Sequence, residues 1–174
     1  RVQISMIAIV LISVLAIGGA SAWFIFNIYT NKNEAIINEK AHSILIQLEN
    51  SLAELNYLDT SYSGYLNEML VPLSNIFFTD INLYHPQGVL LASSRPRLFD
   101  EGIVSNMMNP IARNQLQTHR KSLFIHNERI GNLEYLSAYV PLRNVNKQLI
   151  AYINLPYFAQ QRELRDEISY FFVA

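Results

Sequence analysis

Histidines are the first side chains to weigh in this sequence, because they act as metal ligands, general bases and phosphoacceptors. The chain has four of them: His42, His85, His119 and His126. A zinc site needs several clustered ligands, and the nearest approach to such a cluster is His126-Asn-Glu128. Since an isolated histidine is more often exposed or hydrogen-bonded than ligating, we expect no metal site.

The carboxylates and the short motifs do not indicate a catalytic site either. Asp100 and Glu101 are adjacent, as are Asp166 and Glu167, with Glu163 nearby. Such neighbours point in different directions, whereas acid–base catalysis places two carboxyls across a substrate. No nucleophile elbow, phosphate-binding loop or dinucleotide fingerprint occurs, and there are no cysteines. We therefore expect no catalytic residue, metal or cofactor in this segment.

The charges are distributed very unevenly along the chain. The 174 residues hold 13 Lys+Arg and 14 Asp+Glu, yet after Arg1 the next charged residue is Lys32. Ile4 to Phe26 is apolar apart from serines and small residues, and it spans roughly 34 Å, enough for a bilayer core of about 30 Å. Residues 1–29 are therefore predicted to form a transmembrane helix. A net charge of −1 without a basic block excludes nucleic acid as the main partner.

A second apolar run, at residues 168–174, predicts the start of another transmembrane helix. We expect the N-terminus to be cytoplasmic, so that residues 30–167 form an extracytoplasmic domain held between two membrane helices. His42 then lies outside the cytoplasm, which argues against a phosphoacceptor role for it.

An amphipathic helix is predicted to follow the membrane segment. Gly and Pro are absent between Gly19 and Gly64, and apolar residues recur at three- and four-residue spacing: Ile37, Ala41, Ile44, Leu45, Leu48, Leu52 and Leu55. This pattern predicts one long helix that runs to about Asn56. Its apolar stripe packs on a sheet, on a second copy of the chain, or on both, and periodicity does not choose among these.

Beyond Gly64 we predict a shorter helix over 65–73, after which the period of the pattern changes to two. The predicted strands are 79–84, 88–93, 122–126, 133–142 and 148–155, with a helix over 104–118 and another over 160–174. Pro156 is expected to end the last strand. The predicted fold class is α+β: a transmembrane helix, a long helix, and a five-stranded antiparallel sheet with helices on one face.

Two stretches of the chain resemble a known family. YHPQGVLLASSRPRLFDEGIVSNMMNP, from Tyr84, and KSLFIHNERIGNLEYLSAYVPLRNVNKQLIAYINLPYF, from Lys121, resemble the Cache (PAS-like) extracytoplasmic sensor domains of membrane-bound bacterial histidine kinases. The resemblance covers roughly residues 30–170 and implies a PAS-like, single-Cache sheet. The family often carries Asp at the position of His85, followed by x-x-Gly, and here only Gly88 is kept.

This resemblance implies a sensor in the bacterial cytoplasmic membrane. The chain, as a homodimer in the lipid bilayer, is expected to sense a small-molecule or protein stimulus and to signal to a kinase core. That core, which lies outside this sequence, is expected to use ATP and Mg²⁺ and to act on a response regulator. The input module of a chemoreceptor or diguanylate cyclase, or a membrane-tethered domain that binds only a protein, is the alternative.

The resemblance also implies that one face of the sheet, covered by a loop and a helix, forms a ligand cavity. Tyr135, Ser137 and Tyr139 alternate onto a single face, and Arg95 or Arg97 on the covering loop is expected to clamp a ligand carboxylate. The alternative is that the tyrosines pack in the core and the arginines are on the surface. The predicted ligand-binding residues are Ser94, Arg95, Arg97, Arg113, Tyr135, Tyr139 and Asn154.

Overall fold

A computed structural model describes residues 2–157, except for the side chains of residues 2–5, 26, 29 and 30. The helices are α1 (Val2–Ser51), α2 (Ser63–Phe77), α3 (Arg97–Asp100) and α4 (Pro110–Gln117), and a short 3-10 turn at Thr60–Tyr62 precedes α2. The strands are β1 (Asn82–Tyr84), β2 (Leu90–Ser93), β3 (Phe124–Ile130), β4 (Leu133–Arg143) and β5 (Leu149–Tyr157). The helix predicted over 160–174 and the second membrane helix lie outside the described residues.

The chain divides into two compact units, of which the first ends at Ile36 and the second begins at Ile37. Within the first unit, Met6–Ile25 is a 20-residue helical stretch with a mean hydropathy of 2.3, none of which is buried. By length and composition it is the one candidate membrane span among the residues that the structure describes.

The second unit is built on a five-stranded sheet with the strand order β2-β1-β5-β4-β3. Every pairing is antiparallel, with β5 at the centre between β1 and β4. The predicted α+β fold class, with a five-stranded antiparallel sheet, is therefore confirmed. Since side chains alternate between the faces of a strand, each strand supplies residues to two different environments.

One face of the sheet is apolar and is covered by the C-terminal part of α1. Five residues of the stripe are at most 1% exposed: Ile37, Ala41, Ile44, Leu48 and Leu52. The helix follows β5, because Lys40 Nζ lies 5.0 Å from the centre of the Tyr157 ring at one end. At the other end the Ala53 carbonyl accepts a hydrogen bond from Val145, in the turn that precedes β5. The stripe is thus buried within the chain itself, and the helix ends at Ser51 rather than at Asn56.

The expectation that helices lie on one face only is wrong. Met108 and, in α4, Ala112 and Leu116 pack on the opposite face of the sheet, in one buried cluster with Tyr84, Tyr139 and Tyr152. The two apolar residues of α4 are four positions apart and so lie on the same side of the helix. The sheet is therefore covered on both faces.

The helix predicted over 104–118 is wrong in its first half. Asn106 and Met108 instead form extended hydrogen bonds beside β2, with Leu90 N–H donating to the Asn106 carbonyl and Met108 N–H to the Gly88 carbonyl, both at 2.8 Å. The helix begins only after Asn109, whose side-chain oxygen accepts from the N–H of Ile111 at 2.9 Å. Pro110 at the first helical position suits this start, because that position needs no N–H.

The expectation that Pro156 ends the last strand is wrong. It pairs with Ser137 of β4, and β5 continues to Tyr157. On its other side the ladder with β1 stops at the pair Asn82↔Asn154. The N–H that Pro156 lacks is therefore not needed for a hydrogen bond to β1.

The second predicted helix is also longer than expected, since α2 runs through Pro72 to Phe77.

Candidate ligand-binding site

A cavity of about 600 Å³ lies on the second face of the sheet, beneath α3 and the segment that leads into α4. Its wall combines strand residues with the apolar cover. The side chains that matter for its chemistry are Asp80, Asn82, Tyr84, Arg95, Glu128, Tyr135, Tyr139 and Asn154. A cavity of this size accommodates a small organic molecule.

A chain of buried polar side chains crosses four strands along this face. Ser93 Oγ donates to Asn82 Oδ1 at 2.7 Å, and Asn82 Nδ2 donates to Asn154 Oδ1 at 2.9 Å. Asn154 Nδ2 in turn donates to Ser137 Oγ at 2.7 Å. Four polar residues on the inner face of a sheet are costly to bury unless they are bonded to one another. This chain fixes the amide orientations of Asn82 and Asn154, which border the cavity.

Glu128 of β3 is the centre of a second polar group. Its Oε1 accepts from the Tyr139 hydroxyl at 2.7 Å and lies 3.1 Å from Nε2 of His126, while its Oε2 accepts from the Tyr135 hydroxyl at 3.1 Å. The register explains this grouping, because Tyr135 is directly opposite Glu128 and Ser137 is opposite His126. Residues two apart on a strand share a face, so the side chains of His126 and Glu128 lie on the same face and contact each other.

The hydrogen bonds keep Glu128 ionised. Burial raises the pKa of its carboxyl, but the bonds from His126, Tyr139 and Tyr135 together outweigh burial and hold the pKa below its ordinary value. Burial, with the nearby charge of Glu128, raises the pKa of Tyr139 and of Tyr135. At neutral pH the site therefore holds a carboxylate surrounded by protonated phenols.

A third charged group lies at the other side of the cavity. Arg95 Nε donates to Asp80 Oδ1 at 2.7 Å, and the side chain of Asp80 is 9% exposed while that of Arg95 is 66% exposed. Burial raises the pKa of Asp80, although Arg95 opposes the shift. Asp80 continues β1, and Glu128 lies on β3, three strands away in the sheet order. At about 4.8 Å per strand, the two carboxylates are attached to backbones roughly 14 Å apart across the sheet.

Tyr84 contributes a polar atom that has no protein partner. The residue is 3% exposed and lines the cavity. Its hydroxyl forms no hydrogen bond with any residue of the described part of the chain, and every fully buried side-chain polar atom there does have a partner. The hydroxyl oxygen therefore opens into the cavity. Buried tyrosine hydroxyls usually find a partner, so this one is available to a bound molecule.

In the hairpin that carries Tyr84, His85 closes the turn with its own ring nitrogen. His85 Nδ1 accepts from the N–H of Gln87 at 3.1 Å, and Gly88 N–H donates to the His85 carbonyl at 2.7 Å. The imidazole thus accepts the bond that a turn aspartate commonly accepts. Gly88 has φ of 93°, and a Cβ there would lie 3.3 Å from Nη1 of Arg113. The turn therefore requires glycine at this position.

The structure brings together four of the seven residues predicted to bind ligand. Arg95, Tyr135, Tyr139 and Asn154 all line the cavity. Outside its wall are the remaining three: Ser94, whose Oγ accepts from Ile81 N–H; Arg97, exposed on α3; and Arg113, whose Nε donates to Gln117. A role in binding stays a prediction for all seven.

Sequence reasoning missed Glu128, His126, Tyr84 and Asp80 as site residues. The signal for the first pair was present, since His126-Asn-Glu128 has the two-residue spacing that places both side chains on one strand face. Glu128 was not recognised as a site residue because the predicted strand ends at His126, which places Glu128 in a turn. Among the residues that the structure describes, no group of three His, Cys, Asp or Glu is arranged to hold a metal ion.

No protein-family model matches the chain, and no curated protein matches its sequence. Similar solved structures exist. The sensor domain of E. coli DcuS is 10% identical, with a TM-score of 0.48, over 78% of this chain and 98% of that one. The sensor domain of the V. cholerae histidine kinase DctB is 11% identical, with a TM-score of 0.47, over 75% of this chain and 56% of that one.

The periplasmic domain of Vibrio cholerae LuxQ is a third similar structure. It is 8% identical, with a TM-score of 0.36, over 71% of this chain and 59% of that one. The chain is thus similar in structure to sensor domains, as the sequence resemblance predicted. At these identities and TM-scores, its function has to be inferred from its own cavity.

Proposed function

We propose that this chain is a membrane-anchored sensor module that binds a small polar molecule in the cavity between β1, β3, β4, β5 and the α3–α4 cover. The observation that carries the proposal is the Tyr84 hydroxyl, which belongs to a buried residue, borders the cavity and has no hydrogen-bond partner among residues 2–157. A cavity that served only as a packing defect would be lined by apolar groups, as empty cavities in proteins are.

The rest of the wall supports the same function. The cavity volume of about 600 Å³ falls within the range of about 300–1,000 Å³ typical of small-molecule sites. Its polar groups are held in place by other groups, with Asn154 fixed by Asn82 and Ser137, and Glu128 by two tyrosines. Such pre-ordered groups select a ligand without a large entropic cost on binding.

The cellular setting is part of the proposal. The span Met6–Ile25 anchors the module in the bacterial cytoplasmic membrane, with the sheet outside the cytoplasm. The module acts as a homodimer and signals to a histidine kinase core that uses ATP and Mg²⁺ and acts on a response regulator. The sequence resemblance to Cache sensor domains of histidine kinases supports this output, and a chemoreceptor or cyclase output is the alternative. Reading the coding sequence beyond Ala174 distinguishes these outputs.

The test of ligand binding is a thermal-shift screen of the full chain in lipid nanodiscs against a panel of polar metabolites. A ligand that prefers the native state stabilises it by an amount that grows with the logarithm of the ratio of ligand concentration to dissociation constant, and so raises the melting temperature. We expect at least one class of compound to do so. A flat response over the whole panel contradicts the proposal and favours a domain that binds only a protein partner.

A matched pair of variants places any response in the cavity. Ser105 lines the cavity and is exposed, so Ser105→Trp puts a large ring at its mouth at little cost in stability. Asn75 is exposed on α2, away from the cavity, and Asn75→Trp is its control. The shift is expected to disappear in the first variant and to persist in the second. Persistence in both places the ligand elsewhere on the protein.

A further inference from the structure

We propose that the ligand of this cavity carries a protonated amine, which is bound against the carboxylate of Glu128, and that the hydroxyl of Tyr84 bonds to the same ligand. The inference rests on the proposed function and names the chemical class of the ligand for the same site. Three features carry it: the charge of the cavity wall, an open acceptor position on Glu128, and the tyrosines beside that position.

The enclosed charges of the cavity wall are negative. The side chains of Glu128 and Asp80 are 11% and 9% exposed. Arg95 and Arg129 also line the cavity, but both are exposed, and Arg95 is bound to Asp80. His126 adds a positive charge only when it is protonated. A cation that reaches the enclosed carboxylate of Glu128 is therefore favoured electrostatically.

Glu128 has room for another hydrogen-bond donor. An ionised carboxylate offers about four acceptor positions on its two oxygens. Oε1 is approached by both His126 and Tyr139, whereas Oε2 accepts, within residues 2–157, from Tyr135 alone. The group that completes this carboxylate must be a donor, and an ammonium group supplies N–H donors together with the opposite charge.

Tyrosines lie beside this open position. Tyr135 and Tyr139 donate to Glu128, Tyr84 lines the same cavity, and the faces of phenol rings attract cations. Burial and then the charge of Glu128 raise the pKa of Tyr84, so its hydroxyl is protonated at neutral pH. The Tyr84 oxygen is able to accept an N–H from another part of the ligand. A quaternary ammonium lacks these donors, which favours a protonated primary or secondary amine.

An anionic ligand held by an arginine, the expectation from sequence, fits this wall less well. Arg95 is the one predicted arginine that lines the cavity, and its Nε is bound to Asp80 at 2.7 Å. Arg97 and Arg113 do not reach the wall in the described part of the chain. A carboxylate bound by the remaining N–H groups of Arg95 would lie close to Asp80 and would also face Glu128.

Three probes of equal length separate the charge classes: putrescine, butanediol and succinate. They share a four-carbon chain with two identical end groups, and at neutral pH they are cationic, neutral and anionic. Each is titrated into the full chain in lipid nanodiscs, with the thermal shift and the calorimetric dissociation constant as readouts. We expect putrescine to stabilise the chain and the other two to have no effect at equal concentration.

Three variants test the assigned contacts. Glu128→Gln keeps the shape and an acceptor oxygen but removes the charge, so we expect putrescine affinity to fall roughly tenfold or more. Tyr84→Phe removes a hydroxyl that has no hydrogen-bond partner among the residues that the structure describes, so we expect the fold to be retained while affinity falls severalfold. Glu68→Gln changes an exposed carboxylate on α2 and leaves affinity unchanged. If Glu128→Gln fails to fold, Tyr84→Phe still decides.

The outcomes separate this inference from the proposed function. Stabilisation by succinate instead of putrescine overturns the amine assignment and leaves a ligand-binding sensor in place. Equal putrescine affinity in the wild type, Glu128→Gln and Tyr84→Phe also overturns the assignment. If none of the three probes binds, the amine assignment fails, and the metabolite screen alone decides whether the cavity binds any ligand.

Discussion

The two faces of the sheet use the same strands for opposite purposes. On the α1 face, Leu83, Ile153 and Ala138 are fully buried next to the helix stripe that contains Ile44 and Leu48. On the other face, the adjacent residues Asn82, Asn154 and Tyr139 form one cross-strand row of hydrogen-bonding groups. A single residue step along each strand thus separates a dry core from a polar site.

This contrast shows where stability and function are located. The apolar face removes side chains from water and needs only complementary shape. The polar face gains little from burial, so each of its groups is satisfied by a specific partner or opens to the cavity. We therefore expect substitutions on the first face to act on stability alone, and substitutions on the second to act on stability, on ligand binding, or on both.

The largest effect is expected on the apolar face, from Ile44→Ala. Ile44 is fully buried, and truncating such a side chain leaves a cavity that costs about 2–5 kcal/mol in free energy of unfolding. Chemical denaturation of the full chain in nanodiscs measures this loss. Ile46→Ala is the control, because Ile46 is on the same helix but 47% exposed, and surface changes usually stay within about 0.5 kcal/mol.

Ligand affinity sharpens this first prediction. At a temperature well below both melting points, Ile44→Ala is expected to bind any ligand found by the screen with the wild-type dissociation constant. A large change in affinity would mean that the two faces are coupled through the sheet. The apolar face would then contribute to ligand binding as well as to stability.

A smaller effect is expected on the polar face, from the pair Tyr139→Phe and Tyr84→Phe. The Tyr139 hydroxyl donates to Glu128 at 2.7 Å, and losing a hydrogen bond to a charged group costs about 1.5–3 kcal/mol. The Tyr84 hydroxyl has no hydrogen-bond partner in the described part of the chain, so its removal is expected to cost less stability than the loss of the Tyr139 hydroxyl. Equal stability losses in the two variants would show that the Tyr84 hydroxyl is bonded in the apo protein.

Much of the apolar face could be predicted from sequence, because its signals are local. The three- and four-residue spacing of the α1 stripe predicted seven apolar positions. Leu45 and Leu55 are half-buried, and the other five are buried: Ile37, Ala41, Ile44, Leu48 and Leu52. The alternation of Tyr135, Ser137 and Tyr139 likewise placed them on one face, in agreement with the register of β4. These patterns follow from the geometry of one element at a time.

The rest of the site depends on contacts between segments that are distant in sequence, and the periodicity of a single segment does not reveal such contacts. Residues 104–109 read as helical, but pairing with β2 holds Asn106 and Met108 extended. Glu128 read as a turn residue, but pairing with β4 prolongs β3 to Ile130 and brings Glu128 opposite Tyr135. Asp80 becomes a site residue only because Arg95, fifteen positions later, folds back onto it.

The smallest effect is a difference in acid stability between Glu128→Gln and Asp80→Asn. The pKa of Glu128 is lowered by its hydrogen bonds in spite of burial, so its contribution to stability is present above the unfolded pKa of about 4.3 and is lost as pH falls through the folded pKa. The pKa of Asp80 is raised by burial, so protonation relieves a cost, and this group adds stability as pH falls through its folded pKa.

Thermal melts between about pH 3 and pH 6 resolve the two signs, with unfolded values near 4 for both groups. Relative to the wild type, Glu128→Gln is expected to lose less stability on acidification, and Asp80→Asn is expected to lose more. Because Asp59, whose pKa is lowered by bonds from Ser61, is unchanged in both variants, its own acid loss cancels in the comparison. If both variants differ from the wild type in the same direction on acidification, the two carboxylates share one kind of environment. Differences of opposite sign place Glu128 in a hydrogen-bonded cluster and Asp80 in a desolvated ion pair on the same polar face.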